Sequence, residues 1–419
     1  MEIIADLHLH SKYSRATSPR MNITDLSNAA HVKGVNLLGT GDFTHPKHFA
    51  DLKRDLTSIG NGVYTHNNCF FMLTSEISLM YTQDGKGRRV HLVTFAPDLE
   101  IVEHINERLA KWGRLDYDGR PIFGRSCIEY VDEMMKISKE IEIIPAHCWT
   151  PFFGLLGSMS GFNSVEECFG EKSKHIHALE TGMSSDPSMN WRLSSLDKYA
   201  LVSFSDSHSP YPWRLGREAC VFDLKKPSYF ELTDAIRNKD HKKFLSTIET
   251  SPEYGKYHYD GHRDCNVSFS PEESKRLNNI CPVCKRPLTI GVENRVEELA
   301  DRSVGFMPKD AIPFKRIIPL HEIICGLLKS SVASKKTELE ANKLIASFGS
   351  ELNVLLKAPE SALREISGDK IAEALIKNRN GLIKVKPGYD GEYGVPIFDE
   401  NEIIQEKPSK ASQKTLGEY

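Results

Sequence analysis

The sequence predicts an α/β fold in which a mostly parallel sheet closes into a barrel, and two observations support this prediction. Seven short apolar runs in the first half of the chain are separated by polar stretches of helix length, which is typical of βα units. Each run also ends on, or carries, a histidine, aspartate or glutamate. Functional side chains of such barrels lie at the carboxyl ends of the strands. The pattern therefore predicts a metal site containing more than one ion.

The seven runs are predicted strands at residues 2–6, 35–40, 69–75, 90–95, 141–145, 177–179 and 200–205. The side chains that accompany them are His8, His10, Asp42, Glu76, His91, His147, Glu180, Asp206 and His208. His8 and His10 alternate along an extended chain, so both point to one side and can hold a single ion. Only His91 fits less well, because it lies near the start of its run.

Imidazole and carboxylate groups without thiolates are the ligands expected for Zn²⁺ or Mn²⁺ at a hydrolytic centre. A single histidine is more often a structural residue than a ligand, but recurrence at seven strand ends favours ligation. Glu180 is either a residue that orients a ligand or an ordinary structural carboxylate. We expect Zn²⁺ in the protein, with Mg²⁺ or Mn²⁺ supporting activity.

Composition limits the class of protein. The 419 residues suffice for two or three domains, and 54 basic against 57 acidic residues leave any nucleic-acid surface local. The sequence has no apolar stretch of membrane-spanning length and no signal peptide, so we expect a cytoplasmic protein without membrane contact. Nine cysteines without a disulfide-like pattern favour reduced thiols, some of which hold a metal.

Changes along the chain predict four segments. The barrel occupies residues 1–250, a small zinc-binding module 251–305, and a helical domain 306–400 that we expect to recognise DNA. Amphipathic helices are predicted at 320–330, 337–348, 359–366 and 369–377. The tail at 401–419 is rich in lysine, serine and glutamine, a composition typical of disorder.

The small module contains two close pairs of ligands, His262 with Cys265 and Cys281 with Cys284. Two such pairs separated by a helix-length spacer are the layout of a structural zinc site. His258 competes with His262 for the fourth position, and four ordinary buried side chains are the alternative. A module of this size would need its metal to fold.

Two features beside the predicted ligands suggest contact with nucleic acid. Arg88 and Arg89 lie in a predicted loop directly before His91, where they could hold a phosphate backbone in a salt-sensitive way. A solvated charged surface is the alternative for them. The aromatic residues Trp149, Phe152 and Phe153 follow His147, and either pack in the core or stack on bases.

Five segments resemble the PHP phosphoesterase superfamily, namely ADLHLHSKYS at 5–14, GTGD at 39–42, TSE at 74–76, PAH at 145–147 and FSDSH at 204–208. The resemblance implies a distorted (β/α)7 barrel with two or three metal ions.

The resemblance also implies the ligands of each ion. His8, His10, Glu76 and Asp206 would hold one ion and act catalytically through it. Glu76 would bridge to a second ion held by His91 and His147, while Asp42 and His208 would approach a third. Phe43, and the absence of a ligand near residues 15–16, depart from the pattern and leave the third ion open. Ions of this kind catalyse phosphoester hydrolysis.

Nearly the whole chain resembles the endonuclease Q family, through YHYDGHR at 257–263, CPVC at 281–284, RVEELAD at 295–301 and KPGYDGEYG at 386–394. The resemblance implies a DNA repair nuclease that cuts 5′ to uracil, hypoxanthine, xanthine or an abasic site. Such a substrate needs a pocket for an everted nucleotide, which we expect between the barrel rim and the later domains. A phosphatase of small phosphomonoesters and an inactive, helicase-associated DNA-binding protein are the alternatives.

The last residues resemble a sliding-clamp-binding peptide of the PCNA type. Gln413, Leu416 and Tyr419 have the spacing in which a glutamine, an aliphatic residue and a terminal aromatic residue dock together. The resemblance implies a clamp partner and a prokaryotic, archaeal source. An unstructured tail without a partner is the alternative.

Overall fold

The structure, a computed structural model, describes residues 1–398. The predicted clamp-binding residues Gln413, Leu416 and Tyr419 lie outside the described residues. The strands are β1 (Glu2–Asp6), β2 (Leu37–Gly39), β3 (Thr57–Gly60), β4 (Val63–His66), β5 (Cys69–Gln83), β6 (Lys86–Ala96), β7 (Ile122–Phe123), β8 (Glu142–Pro145), β9 (Ala178–Glu180), β10 (Ala200–Val202), β11 (Ala219–Asp223), β12 (Phe244–Glu249), β13 (Asp260–His262), β14 (Val267–Phe269), β15 (Phe314–Arg316), β16 (Lys384–Lys386) and β17 (Val395–Ile397).

The α-helices are α1 (Ile23–Lys33), α2 (Pro46–Asp55), α3 (Leu99–Ala110), α4 (Cys127–Ile137), α5 (Val165–Phe169), α6 (Pro187–Asn190), α7 (Tyr229–Arg237), α8 (Pro271–Arg276), α9 (Val292–Leu299), α10 (Leu320–Leu328), α11 (Lys335–Phe348), α12 (Glu351–Leu356), α13 (Glu360–Ser367) and α14 (Asp369–Arg379). Short 3-10 helices occupy Gly170–His175, Ser194–Leu196, Pro252–Tyr254 and Arg263–Cys265. None of the helices within residues 1–398 has the length and apolar character needed to cross a membrane.

The central sheet is mixed, so the prediction of a mostly parallel sheet is wrong. β1 pairs with β2 and β2 with β5 in parallel, but β5–β6, β6–β8, β1–β11 and β11–β12 are antiparallel. The reversal at β5 and β6 has a local cause, the two-residue turn Asp84–Gly85. Both residues have positive φ, 52° and 72°, as the tight turn of a hairpin requires. A parallel connection would need a far longer crossover.

The reversed direction of β6 explains the unusual position of His91. Leu92 of β6 lies opposite Pro145, the last residue of β8, and also opposite Ile77 of β5. The start of β6 therefore lies at the same edge of the sheet as the carboxyl end of β8. His91 reaches the predicted ligand edge because its strand runs the other way.

β9 and β10 form a separate parallel pair. Single bridges connect this pair to the main sheet on both sides. One joins Ile143 of β8 to Ile176, just before β9, and the other joins Leu9 to Ser207 beyond β10. The segments that carry His8, His10 and Asp206 are therefore held side by side.

Two apolar clusters lie on the two faces of the main sheet. In β1, Ile3 and Ala5 belong to one cluster, and Ile4, between them, belongs to the other. Alternation of side chains along a strand produces this division. Leu26 of α1 and Leu52 of α2 pack in the cluster that contains Ile4. Strands buried on both faces explain why the sequence shows continuous apolar runs.

The last described segment is mainly helical, as predicted, and its helices α10, α11, α13 and α14 cover the four predicted ranges within a few residues. The sequence prediction did not include α12 or β15. β15 extends the main sheet, because Phe314 and Arg316 pair in parallel with Thr247 and Glu249 of β12. The helical region is therefore anchored directly to the sheet.

Candidate metal centre

Two groups of potential ligands lie together at the edge of the sheet. His8, His10, Glu76 and Asp206 form the first group, and Glu76, His91 and His147 form the second. Within each group the ligand atoms lie within 4.8 Å of one another. Glu76 belongs to both groups. Residues from five of the seven predicted runs therefore converge on one place in space.

The first group surrounds the ring nitrogens of two histidines. Nε2 of His10 lies 3.1 Å from Glu76 Oε2 and 3.1 Å from Asp206 Oδ1. Nε2 of His8 lies 3.6 Å from the same two oxygens. These nitrogens and carboxylate oxygens thus face a common point, as the ligands of a single ion do.

The second group follows from the register of the β5–β6 hairpin. Glu76 lies opposite Val93, so it is the diagonal neighbour of His91 on the same face of the sheet. Oε1 of Glu76 lies 2.7 Å from His91 Nδ1 and 3.3 Å from His147 Nε2. One carboxylate therefore presents one oxygen to each group.

Unpaired polar atoms at this place fit a cation. Nε2 of His8, Nε2 of His10 and Oδ1 of Asp206 are buried and make no hydrogen bond of acceptable geometry. Buried polar atoms are nearly always paired, so three convergent exceptions need a cause. Imidazole nitrogens and carboxylate oxygens are ligands of divalent metals, and a divalent ion would satisfy all three atoms.

Two carboxylates behind the ligands fix the histidine rings. Glu180 is fully buried, accepts a hydrogen bond from His8 Nδ1 at 2.9 Å, and accepts another from the His147 backbone N–H at 2.6 Å. Asp42 accepts a bond from His10 Nδ1 at 3.1 Å. A proton held on Nδ1 leaves the Nε2 lone pair free to face the ligand group. Of the two interpretations of Glu180, the orienting residue matches these contacts.

Asp42 and His208 do not join a third ligand group among residues 1–398. Besides its contact with His10, Asp42 accepts bonds from the Ser11 backbone N–H at 2.6 Å and from the hydroxyl groups of Ser11 and Ser14. The oxygens of Asp42 are thus already occupied. The ring centroid of His208 lies 4.3 Å from that of His10, and its Nδ1 is 3.8 Å from Asp206 Oδ1.

The carboxylates and imidazoles of the centre shift one another's pKa values. Burial would raise the pKa of Glu76 and Asp206, but the neighbouring imidazoles, and for Glu76 also Arg120, outweigh it and hold both pKa values well below the ordinary range. Burial would lower the pKa of His8 and His10, yet the surrounding carboxylates raise both. A metal ion held by these two imidazoles would compete with protons for their ring nitrogens.

Three predicted ligand residues have left-handed backbone conformations. The φ angles are 46° at Asp42, 30° at His147 and 47° at Asp206. Such angles are uncommon for residues other than glycine, and strained residues cluster at functional sites. Gly182 permits the close approach at His147, because a Cβ on Gly182 would lie 2.6 Å from the His147 Cβ.

Arg120 is a residue of the centre that sequence reasoning missed. Its Nη1 donates to Glu76 Oε2 at 2.8 Å, and 30% of its side chain is exposed. It lies in the irregular segment between α3 and β7, where no motif or periodicity marks a residue. A cation that contacts both the shared carboxylate and solvent is placed to meet an anionic substrate.

The prediction that Arg88 contacts DNA from a flexible loop is wrong. Arg88 lies within β6 and is 5% exposed. Its guanidinium donates to the Gly161 carbonyl and to Glu167, and lies 4.0 Å from the Phe162 ring. The tight Asp84–Gly85 turn continues the strand through Arg88, and alternation turns this side chain inward. Arg89 is exposed, and its role stays a prediction.

The predicted zinc ligands also lie together. His262, Cys265, Cys281 and Cys284 form a third group, in which Cys284 Sγ lies 3.7 Å from His262 Nδ1. His258 is not a member of this group. It stacks on Tyr259, and its Nε2 lies 3.6 Å from Glu293. The structure thus places His262, rather than its competitor, beside the three cysteines.

A cleft of about 470 Å³ opens beside the two ligand groups. His91, His147 and Asp206 form one side. The other walls include the aromatic residues Phe152, Phe153, Tyr257 and Tyr393 and the basic residues Arg217 and Lys256. The sequence left open whether the aromatic residues after His147 pack in the core or stack on bases. Trp149 is buried in the core, whereas Phe152 is 38% exposed. Tyr257 and Tyr393 come from the later segments, so the cleft lies between them and the main sheet.

Comparison with known proteins gives close and extensive matches. The crystal structure of the lesion-specific endonuclease PfuEndoQ from Pyrococcus furiosus superposes with a TM-score of 0.86 at 31% identity, covering 97% of this chain and 98% of that one. An endonuclease Q complex with a 27-mer duplex substrate, which has an abasic lesion at the active site, gives a TM-score of 0.87 at 32% identity, covering 97% and 99%.

Two further matches are partial. The family described as the MJ0043 C-terminal domain matches residues 319–382, which include α10 to α14. Protein MJ0043 of Methanocaldococcus jannaschii is 31% identical over 262 residues, which are 61% of this chain and 32% of that protein. The chain thus spans about a third of the length of this curated relative.

Proposed function

The chain belongs to the endonuclease Q family, and from this membership we propose that it is a metal-dependent DNA repair endonuclease. Its reaction is hydrolysis of the phosphodiester 5′ to uracil, hypoxanthine, xanthine or an abasic site. The observation that carries the proposal is the pair of ligand groups that share Glu76. Related support comes from the family structure whose duplex has an abasic lesion at the active site.

The ligand groups would hold one ion each, with Glu76 between them. Zn²⁺ and Mn²⁺ suit this set of imidazoles and carboxylates, and Mg²⁺ is a further candidate for supporting activity. When bound, such ions supply activation of water and stabilise charge on the attacking and leaving oxygens of an in-line displacement at phosphorus. Asp42 and Glu180 keep the rings of His10 and His8 in the orientation that this requires.

Arg120 would bind a non-bridging oxygen of the phosphate that is cleaved. Its guanidinium is donor-only and already reaches the shared carboxylate at 2.8 Å. Part of the side chain is exposed, so it can meet an incoming phosphate. Charge-assisted hydrogen bonds of this kind are the stronger class, and they would hold the phosphate in line with the nucleophile.

The cleft beside the ligand groups would take the nucleotide that leaves the base stack. Enzymes that inspect a base must extrude it from the duplex, and aromatic side chains provide surfaces on which it stacks. Phe152 and Tyr257, whose ring centroids are 6.5 Å apart, offer such surfaces at the cleft. The metal ligands His147 and Asp206 line the same cleft, so an everted nucleotide would lie next to its own 5′ phosphate.

Three structural assignments accompany this function. We propose that β1, β2, β5, β6, β8, β9 and β10 form the seven-stranded PHP barrel, which the bridges on both sides of the β9–β10 pair support. We propose that His262, Cys265, Cys281 and Cys284 hold a structural Zn²⁺, since their close approach fits tetrahedral closure. The domains would follow the boundaries predicted from the sequence.

A sliding clamp is the proposed protein partner. The sequence pattern of Gln413, Leu416 and Tyr419 is the basis for this assignment. A clamp tether would keep the enzyme on replicating DNA, where deaminated bases must be found before they are copied.

The decisive experiment uses a 5′-labelled duplex that contains one uracil or hypoxanthine, incubated with Mn²⁺ or Mg²⁺. We expect a single cut immediately 5′ of the lesion, absent from an undamaged duplex and from the Asp206→Ala variant. If neither duplex is cut while a chromogenic phosphomonoester is hydrolysed, the protein is a phosphatase and the endonuclease proposal fails.

A further inference from the structure

Arg217 has two buried hydrogen-bond donors without partners. The residue is 9% exposed, and its Nη2 donates to the Ser205 carbonyl at 3.2 Å. Its Nε and Nη1 are buried and make no hydrogen bond. Leaving charged donors unpaired inside a protein is costly, so their retention indicates a partner that comes from outside the chain. Arg217 lines the cleft that also contains Asp206.

Two further cations approach the same wall of the cleft. The guanidinium of Arg214 lies 5.5 Å from the ring centroid of Tyr393, and the ammonium group of Lys256 lies 4.7 Å from it. Lys256 and Tyr393 line the cleft together with Arg217. We refer to Arg214, Arg217 and Lys256 as the basic wall.

Two buried carboxyl groups near the basic wall, Glu218 and Glu322, have raised pKa values, whereas Asp206 of the same cleft is held ionised. Burial raises the pKa of Glu218 well above its usual range, and the nearby Glu249 raises it further. Burial likewise raises the pKa of Glu322. Burial would also raise the pKa of Tyr393, but the three cations and a hydrogen bond with the Arg217 side chain outweigh it, and the pKa is lowered. The shifts of Glu218 and Glu322 favour the neutral form of these two carboxyl groups, which reduces the negative charge beside the basic wall.

We propose that the basic wall binds a second phosphate of the substrate strand, a phosphate adjacent to the one that is cleaved. This inference rests on the proposed endonuclease function. A guanidinium with unpaired donors is the preferred protein group for phosphate, and two neighbouring cations strengthen the attraction. Because Arg217 and Lys256 line the same cleft as Asp206, a phosphate held there would fix the register of the strand relative to the metal centre.

The test replaces single phosphates of the substrate by neutral methylphosphonates. A set of lesion duplexes has one such group at each position flanking the lesion, and kcat/KM is measured for wild type, Arg217→Gln and Arg217→Lys. Arg108→Gln is the matched control, because Arg108 lies on the outer helix α3 and pairs with Glu133 at 2.7 Å. Methylphosphonate substitution leaves the protein unchanged, so the wild-type scan is independent of any folding defect.

At one flanking position we expect the neutral group to lower the wild-type kcat/KM by about tenfold, the size of a lost charge-assisted contact. In Arg217→Gln, the same methylphosphonate should lower kcat/KM by less than about twofold. The effects of two groups in contact are non-additive in a double-mutant cycle. In this variant, the slope of the logarithm of the binding constant against the logarithm of the salt concentration should become shallower by about one. Arg108→Gln should behave as wild type in both measurements.

Additive effects at every position would overturn the inference, provided that wild type cuts the unmodified lesion duplex. Failure to cut that duplex would instead remove the proposed function itself. If Arg217→Gln loses discrimination between uracil and cytosine without coupling to any phosphate, Arg217 reads the base and the phosphate site is wrong. Should Arg217→Gln fail to fold, Lys256→Gln takes its place in the cycle, since Lys256 is only half-buried.

Discussion

Lys33 and Glu351 form a buried ion pair, with 2.7 Å between Nζ and Oε1. Their side chains are 1% and 0% exposed. Lys33 ends α1, beside the main sheet, and Glu351 begins α12 of the helical region. The ammonium group also donates to the Pro212 carbonyl at 2.7 Å, and Glu351 accepts a bond from the Leu320 backbone N–H. The pair therefore connects two parts of the chain that are far apart in sequence.

Replacing Lys33 with methionine should lower the free energy of unfolding by about 3–5 kcal/mol, because Glu351 is left buried without its partner. Lys357→Met is the matched control, since Lys357 forms an equally short but half-exposed pair with Glu2. An exposed pair contributes at most about 1 kcal/mol, so the control should change little. Denaturant titration measures both values. Equal losses in the two variants would contradict the role of burial.

Replacing Asp206 with alanine should abolish cleavage of lesion-containing DNA while leaving the fold and DNA binding largely intact. The substitution removes a ligand of the first group, and the bound metal measured by mass spectrometry should fall with the activity. Asp116→Ala is the control, because Asp116 is an exposed partner of Arg114. Unchanged turnover in Asp206→Ala would remove the proposed metal centre.

Replacing Glu180 with glutamine should reduce kcat by about 10- to 100-fold, the usual effect of losing a residue that orients a metal ligand. The neutral amide oxygen would accept a weaker hydrogen bond from His8 Nδ1 than the charged carboxylate does. Glu142→Gln provides a comparison outside the centre, because Glu142 accepts a bond from His177 Nδ1 at the same 2.9 Å. At a temperature where both variants are folded, only Glu180→Gln should lose activity. Equal kcat values would refute the orienting role.

Stability should fall as the pH rises from about 5 to 8, in part because of Glu249. Burial raises the pKa of Glu249 from 4.5 to about 8. Between these values the folded state holds a proton that the unfolded state has released, so raising the pH favours unfolding. Glu249→Gln should make the decline shallower by at least about 1.4 kcal/mol, the equivalent of one pKa unit. Parallel profiles for wild type and variant in denaturant titrations across this range would contradict the assignment.

Removal of residues 413–419 should weaken binding to a sliding clamp without changing basal cleavage. The clamp-binding pattern consists of Gln413, Leu416 and Tyr419, all distant in sequence from the metal ligands. Calorimetry with the clamp, alongside a cleavage assay without it, separates the two effects. Leu416→Ala should reproduce most of the loss. Equal clamp affinity for the truncated and full chains would end the tail hypothesis.

Residues at the ends of regular strands could be predicted from the sequence. His8, His147 and Asp206 follow apolar runs, and the repetition of this pattern makes each of them recognisable. Arg120 and Arg217 could not be found in this way, because irregular segments have no period and their side chains acquire meaning only through distant neighbours. Tyr393 reaches the cleft from a turn near the end of the described chain, which only the tertiary fold determines.

The errors also have physical causes. Asp84–Gly85 is a strong hairpin signal, which favours an antiparallel β6 and the burial of Arg88. The polar and glycine-rich composition of residues 85–89 competes with this signal, because it is typical of a loop. The helix α12 has only six residues, too few for the apolar period to be visible.

The β5–β6 hairpin also bears on how the metal centre assembles. Glu76 and His91 are joined by a single tight turn, whereas His147 and Asp206 come from much later in the chain. Short loops close with less loss of chain entropy than long ones, and local contacts form faster. During synthesis, the hairpin can therefore bring a carboxylate and an imidazole together before His147 and Asp206 have left the ribosome. A metal ion that meets this nascent pair would find two of the three residues of the second ligand group already in place.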